Sequence, residues 1–414
     1  MFTVGAIGID LNPPLNEGIK NTVYEIYNRI ASKGVDVLLI TKGTFKKNSF
    51  NSTYSSIEEV YGKLRLCSIP VIKQESTYSH LSGVYKFITN LPIYLKKICH
   101  CTSIEIFHIH TSFPSINFLI AFQVKTILKT EYPKVIATQY SSSRNPYIFG
   151  SLDLKSLLTP LPLGYTNFGY LPIDLVITLS KRLRDNFKKY FPKKIVWFPH
   201  IAIDTDKFKP DKKFRNYIRN QLSIDKETTL LLYAGDLTPT RGIEFFISTI
   251  KYLSKRHQVK GLIPLKDREL KINRYNYIIH LLKANGIEKY VEILGYRDDI
   301  NCVINSSDIV LMPLRKNYGF MDLPRFLLEA MSCGKPVITT TVGAINEILY
   351  NGVNGVLCDP EDLKGFIISV KNLIDNPFLR YKISVNARKT ILSAFDAEKM
   401  SDKLLRMYVS LMES

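Results

Sequence analysis

Short apolar runs of strand length alternate along the 414 residues with longer stretches whose apolar positions recur at helical spacing. That alternation predicts parallel sheets crossed by helices. A parallel strand is buried on both faces and reads as a near-continuous Val, Ile and Leu run, and its parallel neighbour is reached only through a long crossover. In the first half the predicted strands are TVGAIGI, DVLLITK, IEIFHIH, KVIATQY and DLVITLS; in the second they are TLLLYAG, YVEILGY, DIVLMPL and PVITTTV. Between the sets lies KKIVWFPHIAIDTDKFKP, residues 193–210, with Pro199 and Pro210 around a charged middle. The expected architecture is α/β, with two Rossmann-like doubly wound domains facing across a cleft. Residues 1–195 form the first domain, 196–212 the linker and 213–395 the second domain, and an amphipathic helix at 396–414 is left to pack back on the first or against the second. The length suits two cores better than one. Ligands of such folds bind beyond the carboxyl ends of the strands, so chemistry is sought there.

Composition narrows the field. Hydrophobic residues make up 45% of the chain, and no apolar run reaches the roughly 18 residues that would cross a bilayer. The amino-terminal apolar run lacks a basic leader and contains Asp10, so no signal peptide is predicted and the expected location is cytoplasmic. Six cysteines, Cys67, Cys99, Cys101, Cys302, Cys333 and Cys358, have neither disulfide nor zinc spacing, and no metal is expected. The net charge of +19 calls for an anionic partner or surface. Residues 1–200 hold 24 Lys and Arg against 12 Asp and Glu, whereas residues 201–414 hold 32 against 25, so the first half carries the larger excess. The basic residues are scattered and no nucleic-acid-binding signature accompanies them, so nucleic acid is not an expected partner.

Candidate chemistry gathers at predicted strand ends. After the first strand, Gly18 opens a helix where a ligand could approach the backbone, or serves only as a helix-entry glycine. His110 closes IEIFHIH on the same side as His108, and either a satisfied core histidine or a cleft contact suits that place. Gln139, Tyr140 and Ser141 begin a polar cluster with donors suited to sugar hydroxyls. In the second half, Arg241 and Gly242 sit where YAGDLTPTRGIEFF passes from strand to helix, a position from which a cation can pair with phosphate. Tyr296 and Arg297 follow Gly295 in a turn that either grips a nucleobase or simply turns. Met321, Asp322, Leu323 and Pro324 precede the helix FLLEAMSCG, with Asp322 as its expected cap and Gly334 as its stop. Glu329 lies inside that helix between apolar neighbours, and its carboxylate suits the vicinal diol of a ribose. Gly343 then precedes Asn346 and Glu347, expected to open a further helix.

Taken together, VITLSKRLRDNF, FPHIAIDTDKFKP, LLYAGDLTPTRGIE, EILGYRDDI, DIVLMPL, LLEAMSCGKPVI, GAINEIL and NGVNGVLCDPEDL resemble, in order and spacing, the retaining glycosyltransferases of family 4 (glycosyl transferases group 1), which have the GT-B fold. The resemblance covers nearly the whole chain and is strongest after residue 170. It implies transfer of a sugar from a nucleotide-sugar donor to a glycan or lipid-linked hydroxyl acceptor, with no cofactor and no metal. In that family two glutamates with seven residues between them bind the donor. Glu329 matches the second, on the ribose, while Met321 stands at the first, leaving Asp322 as the neighbouring carboxylate able to reach the sugar. The resemblance further implies donor contacts at Gly18, Arg241, Tyr296, Arg297, Met321, Leu323 and Glu329, catalytic roles for Asp322 and Arg241 with His110 as a substitute, and acceptor contacts at Gln139, Tyr140 and Ser141. Three positions depart from the family: Met321; Asp236, where an arginine is usual; and Gln139 with Tyr140, where a histidine is expected. A catalytically silent nucleotide-sugar-binding protein is the alternative that these departures suggest. The lysine-bearing aromatic stretch LSGVYKFITNLPIYLKKICH, residues 81–100, is read either as an interfacial helix on anionic lipid at the inner membrane face or as a buried helix.

Overall fold

The computed structural model describes residues 2–8, 11, 18–45, 57–61, 64–72, 79–111, 114–128, 133–140, 173–188, 195–265, 274–316 and 321–414. They divide into two compact units, Met1–Ala202 with Ala397–Ser414, and Ile203–Asp396.

Unit 1 is built on a sheet of order β3-β4-β2-β1-β5-β6-β7-β8. Its strands are β1 (Thr3–Gly8), β2 (Asp36–Phe45), β3 (Ile57–Tyr61), β4 (Leu64–Ile72), β5 (Ile106–Thr111), β6 (Lys134–Gln139), β7 (Leu175–Thr178) and β8 (Ile195–Trp197). All neighbours run parallel except β3, which joins the β4 edge antiparallel. The strands β3, β4 and β8 fall outside the apolar pattern. Pro70, Arg65 and Ser68 interrupt the run in β4, and β8 is only three residues long. One face of the sheet is covered by the helices Ser79–Cys101 and Pro114–Ile127, whose Phe87, Leu91, Leu95, Ile120 and Val124 are buried. The other carries the helix Gly18–Ser32 together with the chain's last helix, Ala397–Glu413. That last helix buries Met400, Leu404 and Tyr408 against Val23, Ile26 and Tyr27. Lys33 Nζ pairs with Glu398 at 2.7 Å and also with Asp402, which fixes the outer edge of the contact.

Unit 2 contains β9 (Thr229–Tyr233), β10 (Val259–Pro264), β11 (Val291–Leu294), β12 (Ile309–Met312), β13 (Val337–Thr340) and β14 (Val356–Cys358) in the order β11-β10-β9-β12-β13-β14. Every pairing is parallel. Counting from β9 the order is 3-2-1-4-5-6, the doubly wound arrangement in which the chain reverses direction across the sheet between the first and fourth strands. β9 and β12 therefore flank the switch point, with Leu231 opposite Ile309 and Tyr233 opposite Leu311. The sequence pattern missed β10, broken by Lys260, Gly261 and Pro264, and the three-residue β14.

Candidate functional site

At the carboxyl end of β9 the chain is tied into a tight loop. The hydroxyl of the fully buried Tyr233 donates to the carbonyls of Asp236 at 2.9 Å and Arg241 at 3.2 Å, drawing the two ends of the loop together. Pro239–Arg241 form a single 3-10 turn, and the following helix runs Ile243–Leu253 with Gly242, rather than Arg241, at its N-cap. Gly242 has φ +66°, and a Cβ there would lie 2.0 Å from the Pro313 carbonyl oxygen. Only glycine permits that approach of the segment after β12 to the loop after β9. Arg315 N–H donates to Thr240 O at 2.9 Å and closes the same contact. The two strand ends that flank the switch point are thereby joined through backbone.

The charges of the loop are paired. Asp236 Oδ1 accepts from the Thr238 amide at 3.0 Å and from its hydroxyl, while Oδ2 lies 3.8 Å from Arg241 Nε. Both side chains are close to fully buried, at 3% exposure for Asp236 and 10% for Arg241. The Arg315 guanidinium lies 4.4 Å from the Phe245 ring centroid and pairs at 2.6 Å with the exposed Glu361. Its Nε is buried without a hydrogen-bond partner.

Downstream, Met321, Asp322 and Leu323 are buried, and the helix runs Arg325–Ser332. Its N-cap is Pro324, so the expected cap at Asp322 is corrected. Asp322 precedes the helix and is fully buried, and its carbonyl accepts the Ala344 amide at 2.9 Å. Asp322 thus lies outside the helix that carries Glu329. The helix stops as the sequence implied: Gly334 has φ +64°, its amide donates to Met331 O, and that of Lys335 donates to Ala330 O, a Schellman closure. Beyond β13, Ile345–Glu347 make a 3-10 turn in place of the longer helix expected there. Glu329 is 6% exposed, and Arg325, one turn earlier, donates from Nε to its Oε1 at 2.8 Å. Buried carboxylates are kept charged by such partners.

Tyr296 is exposed at the end of β11, whereas Arg297 is committed to Asp299, with Nε to Oδ1 at 2.7 Å, which holds the Asp299 carboxyl below its ordinary range.

In unit 1, Gly18 is the first residue of its helix. Ser141 lies outside the described residues. Gln139 and Tyr140 are buried, Gln139 accepting from Asn117 at 3.4 Å. His110 is part of a fully enclosed network and not an exposed strand-end residue. Its Nε2 and Nδ1 bond the hydroxyls of Tyr27 and Tyr140, each at 2.8 Å. His108 Nδ1 bonds Tyr27 at 2.8 Å and Tyr408 at 2.7 Å, and its Nε2 bonds Thr138 at 2.7 Å. His200, stacked on His108 with 9° between ring planes, reaches Thr138 at 3.4 Å through Nδ1 and leaves Nε2 without a partner. Burial pushes all three imidazoles below their ordinary pKa, His200 to about 3, and their proximity adds to the effect for His108 and His110. Among the described residues these three are the His, Cys, Asp or Glu group whose ligand atoms gather, within 4.8 Å of one another. The hydroxyls already engage both nitrogens of His108 and His110, so the group is a hydrogen-bonded core that holds Tyr408 of the last helix.

Sequence reading missed Arg315, Arg325 and His200. Arg325 and Glu329 had a visible signal in their four-residue spacing on one helix. Arg315 had a weaker one, a cation just past a buried strand. His200 had none.

Unit 2 is a doubly wound parallel sheet with its polar loops gathered at the switch point, and the chain has the two-domain GT-B fold. Residues 228–376 match the family model described as Glycosyl transferases group 1. The chain superposes on the crystal structure of Anabaena HepE in complex with UDP with a TM-score of 0.71 at 16% identity, covering 99% of this chain and 100% of that one. It is 22% identical over 407 residues to N-acetyl-alpha-D-glucosaminyl L-malate synthase of Bacillus anthracis, covering 97% of this chain and 96% of the relative. It is 25% identical over 223 residues to UDP-Gal:alpha-D-GlcNAc-diphosphoundecaprenol alpha-1,3-galactosyltransferase of Escherichia coli, 53% of this chain and 55% of that protein. The matched stretch thus spans little more than half of the latter.

Proposed function

We propose that the chain is a retaining glycosyltransferase of family 4 that moves a sugar from a nucleotide-sugar donor, bound on unit 2, to a hydroxyl acceptor. The observation that carries this reading is the joining of the loop after β9 to the segment after β12 at the switch point, within the group 1 match. Glu329, oriented by Arg325, accepts hydrogen bonds from the donor ribose. The amides that open the helix Ile243–Leu253, with Arg241, offset charge on the departing phosphate. In the transfer the sugar C1–O bond to phosphate breaks, a C1–O bond to the acceptor forms on the same face, and the acceptor proton passes to the phosphate. The HepE complex with UDP supports a uridine nucleotide as the first donor to test.

For the acceptor we favour a lipid-linked or cell-envelope glycan reached at the inner membrane face. The helix Ser79–Cys101 buries Phe87, Leu91 and Leu95 but presents Tyr85 at 70% and Ile93 at 57% exposure, followed by the exposed Lys96 and Lys97. Beside it, the helix Pro114–Ile127 exposes Leu119 and Phe122, and Gln123 bonds the Ile88 carbonyl across the contact. Apolar side chains followed by lysines suit an anionic lipid surface. Sedimentation with phosphatidylglycerol vesicles should carry the protein down, and replacing Tyr85, Ile93 and Phe122 by serine should release it; equal recovery of both proteins in the supernatant refutes the membrane contact.

A nucleotide-sugar panel tests the main reading. Donor turnover that disappears in Glu329→Ala supports it, and absence of nucleotide binding overturns it. Binding without turnover supports the second reading, a catalytically silent nucleotide-sugar-binding protein, which buried Met321 and the Asp236–Arg241 pair favour.

A further inference from the structure

We infer that Asp236 is a specificity-determining residue that sets how strongly this site holds a diphosphate, by acting as a built-in counter-ion to Arg241. The inference rests on the donor-site reading above. Three features of the loop support it. Asp236 is held in place independently of any ligand, because Thr238 donates to its Oδ1 through amide and hydroxyl and Tyr233 holds its carbonyl. Its other oxygen faces Arg241 Nε at 3.8 Å, on a side chain that is itself nine-tenths buried. Both residues stand in the loop that leads into the helix Ile243–Leu253 at the switch point, where a phosphate would meet the helix amides.

In such a place one carboxylate does two things. It supplies the negative charge that Arg241 would otherwise draw from a phosphate oxygen, and it repels that oxygen directly. Both effects grow with ligand charge. A nucleoside should be indifferent to Asp236, a nucleoside monophosphate should sense it somewhat, and a nucleoside diphosphate should sense it most. The short side chain and its two Thr238 bonds prevent it from turning out of the loop, so a ligand cannot displace it cheaply.

The test is a double-mutant cycle on the full chain, using isothermal titration of uridine, UMP and UDP against the wild type, Asp236→Asn, Arg241→Gln and the double variant. Asparagine retains the Oδ1 acceptor for Thr238 and replaces the charged oxygen that faces Arg241 by an uncharged amide nitrogen. Asp236→Asn should tighten UDP about tenfold and UMP about threefold and leave uridine unchanged, and Arg241→Gln should weaken UDP several-fold more in the Asp236→Asn background than in the wild type. Additive effects of the two substitutions, or UDP binding that is unchanged or weaker in Asp236→Asn, overturn the inference. Should Asp236→Asn melt early, Arg241→Gln alone still decides, because a loss of UDP affinity beyond about thirtyfold in the wild-type background means that Asp236 was not neutralising it. If none of the four proteins binds any of the probes, the donor-site reading itself fails, and the role of Asp236 with it.

Discussion

The buried histidines give unit 1 an acid sensitivity that one substitution should relieve. His200 is fully buried, its pKa is depressed to about 3, and one ring nitrogen has no partner. In the unfolded chain the same imidazole titrates near its ordinary value of about 6.5. Between those values the unfolded state binds a proton that the folded state refuses, so stability is full above about pH 6.5 and falls as the pH drops. At pH 5 the loss is about 2 kcal/mol for His200 alone. His108 and His110 are shifted the same way by burial and by their neighbouring imidazoles, and add to the loss. The chain's single tryptophan, Trp197, lies on β8 three residues before His200, so its fluorescence reports the unfolding of unit 1. His200→Leu replaces the ring by an apolar side chain of similar volume and removes an unsatisfied nitrogen at the cost of one 3.4 Å contact. In urea titrations at pH 7.5 the variant should match the wild type within about 1 kcal/mol. At pH 5 it should be the more stable of the two by about 2 kcal/mol. Equal losses in the two proteins between pH 7.5 and pH 5 would refute the reasoning.

Further expectations concern single contacts. Gly242→Ala requires a side chain at φ +66° and 2.0 Å from a backbone oxygen, so unit 2 should lose more than about 2 kcal/mol in urea unfolding followed by circular dichroism, and a change under about 0.5 kcal/mol would contradict the close approach. Tyr408→Phe removes the hydroxyl that meets Tyr27 and His108, and should lower the stability of unit 1 by about 1 to 3 kcal/mol as read by Trp197, with no change expected if the last helix is held by apolar contact alone. Glu329→Gln should weaken UDP at least about tenfold, and unchanged affinity would remove Glu329 from the site.

How much of this was legible beforehand differs from one element to the next. The nine strands read from apolar runs are all present, because a run such as DIVLMPL can bury both faces only within a parallel sheet. The strands that escaped, such as Val259–Pro264 with its Lys260, Gly261 and Pro264, owe their place to hydrogen bonds from neighbours rather than to their own pattern. Within the candidate site, Glu329 stood out because a lone carboxylate between Leu328 and Ala330 has no solvent to face, and Gly334 because a helix stop favours a positive φ. His110 stayed open between a core histidine and a cleft contact, since period two puts it at a strand end but cannot say that Tyr27, Tyr140 and a helix some 300 residues later close over that end.

By itself the sequence determined which segments are buried, where helices stop and which residue types stand at strand ends, since these follow from side-chain hydrophobicity and backbone freedom over a few residues. Tertiary structure alone decided the long-range pairings. It brought Gly242 under Pro313 and joined His108 to Tyr408. The reason is physical: strand order and crossover packing bring together groups that are distant in the chain, and whether a buried charge serves a ligand or its neighbour depends on what that packing places within a few ångströms of it.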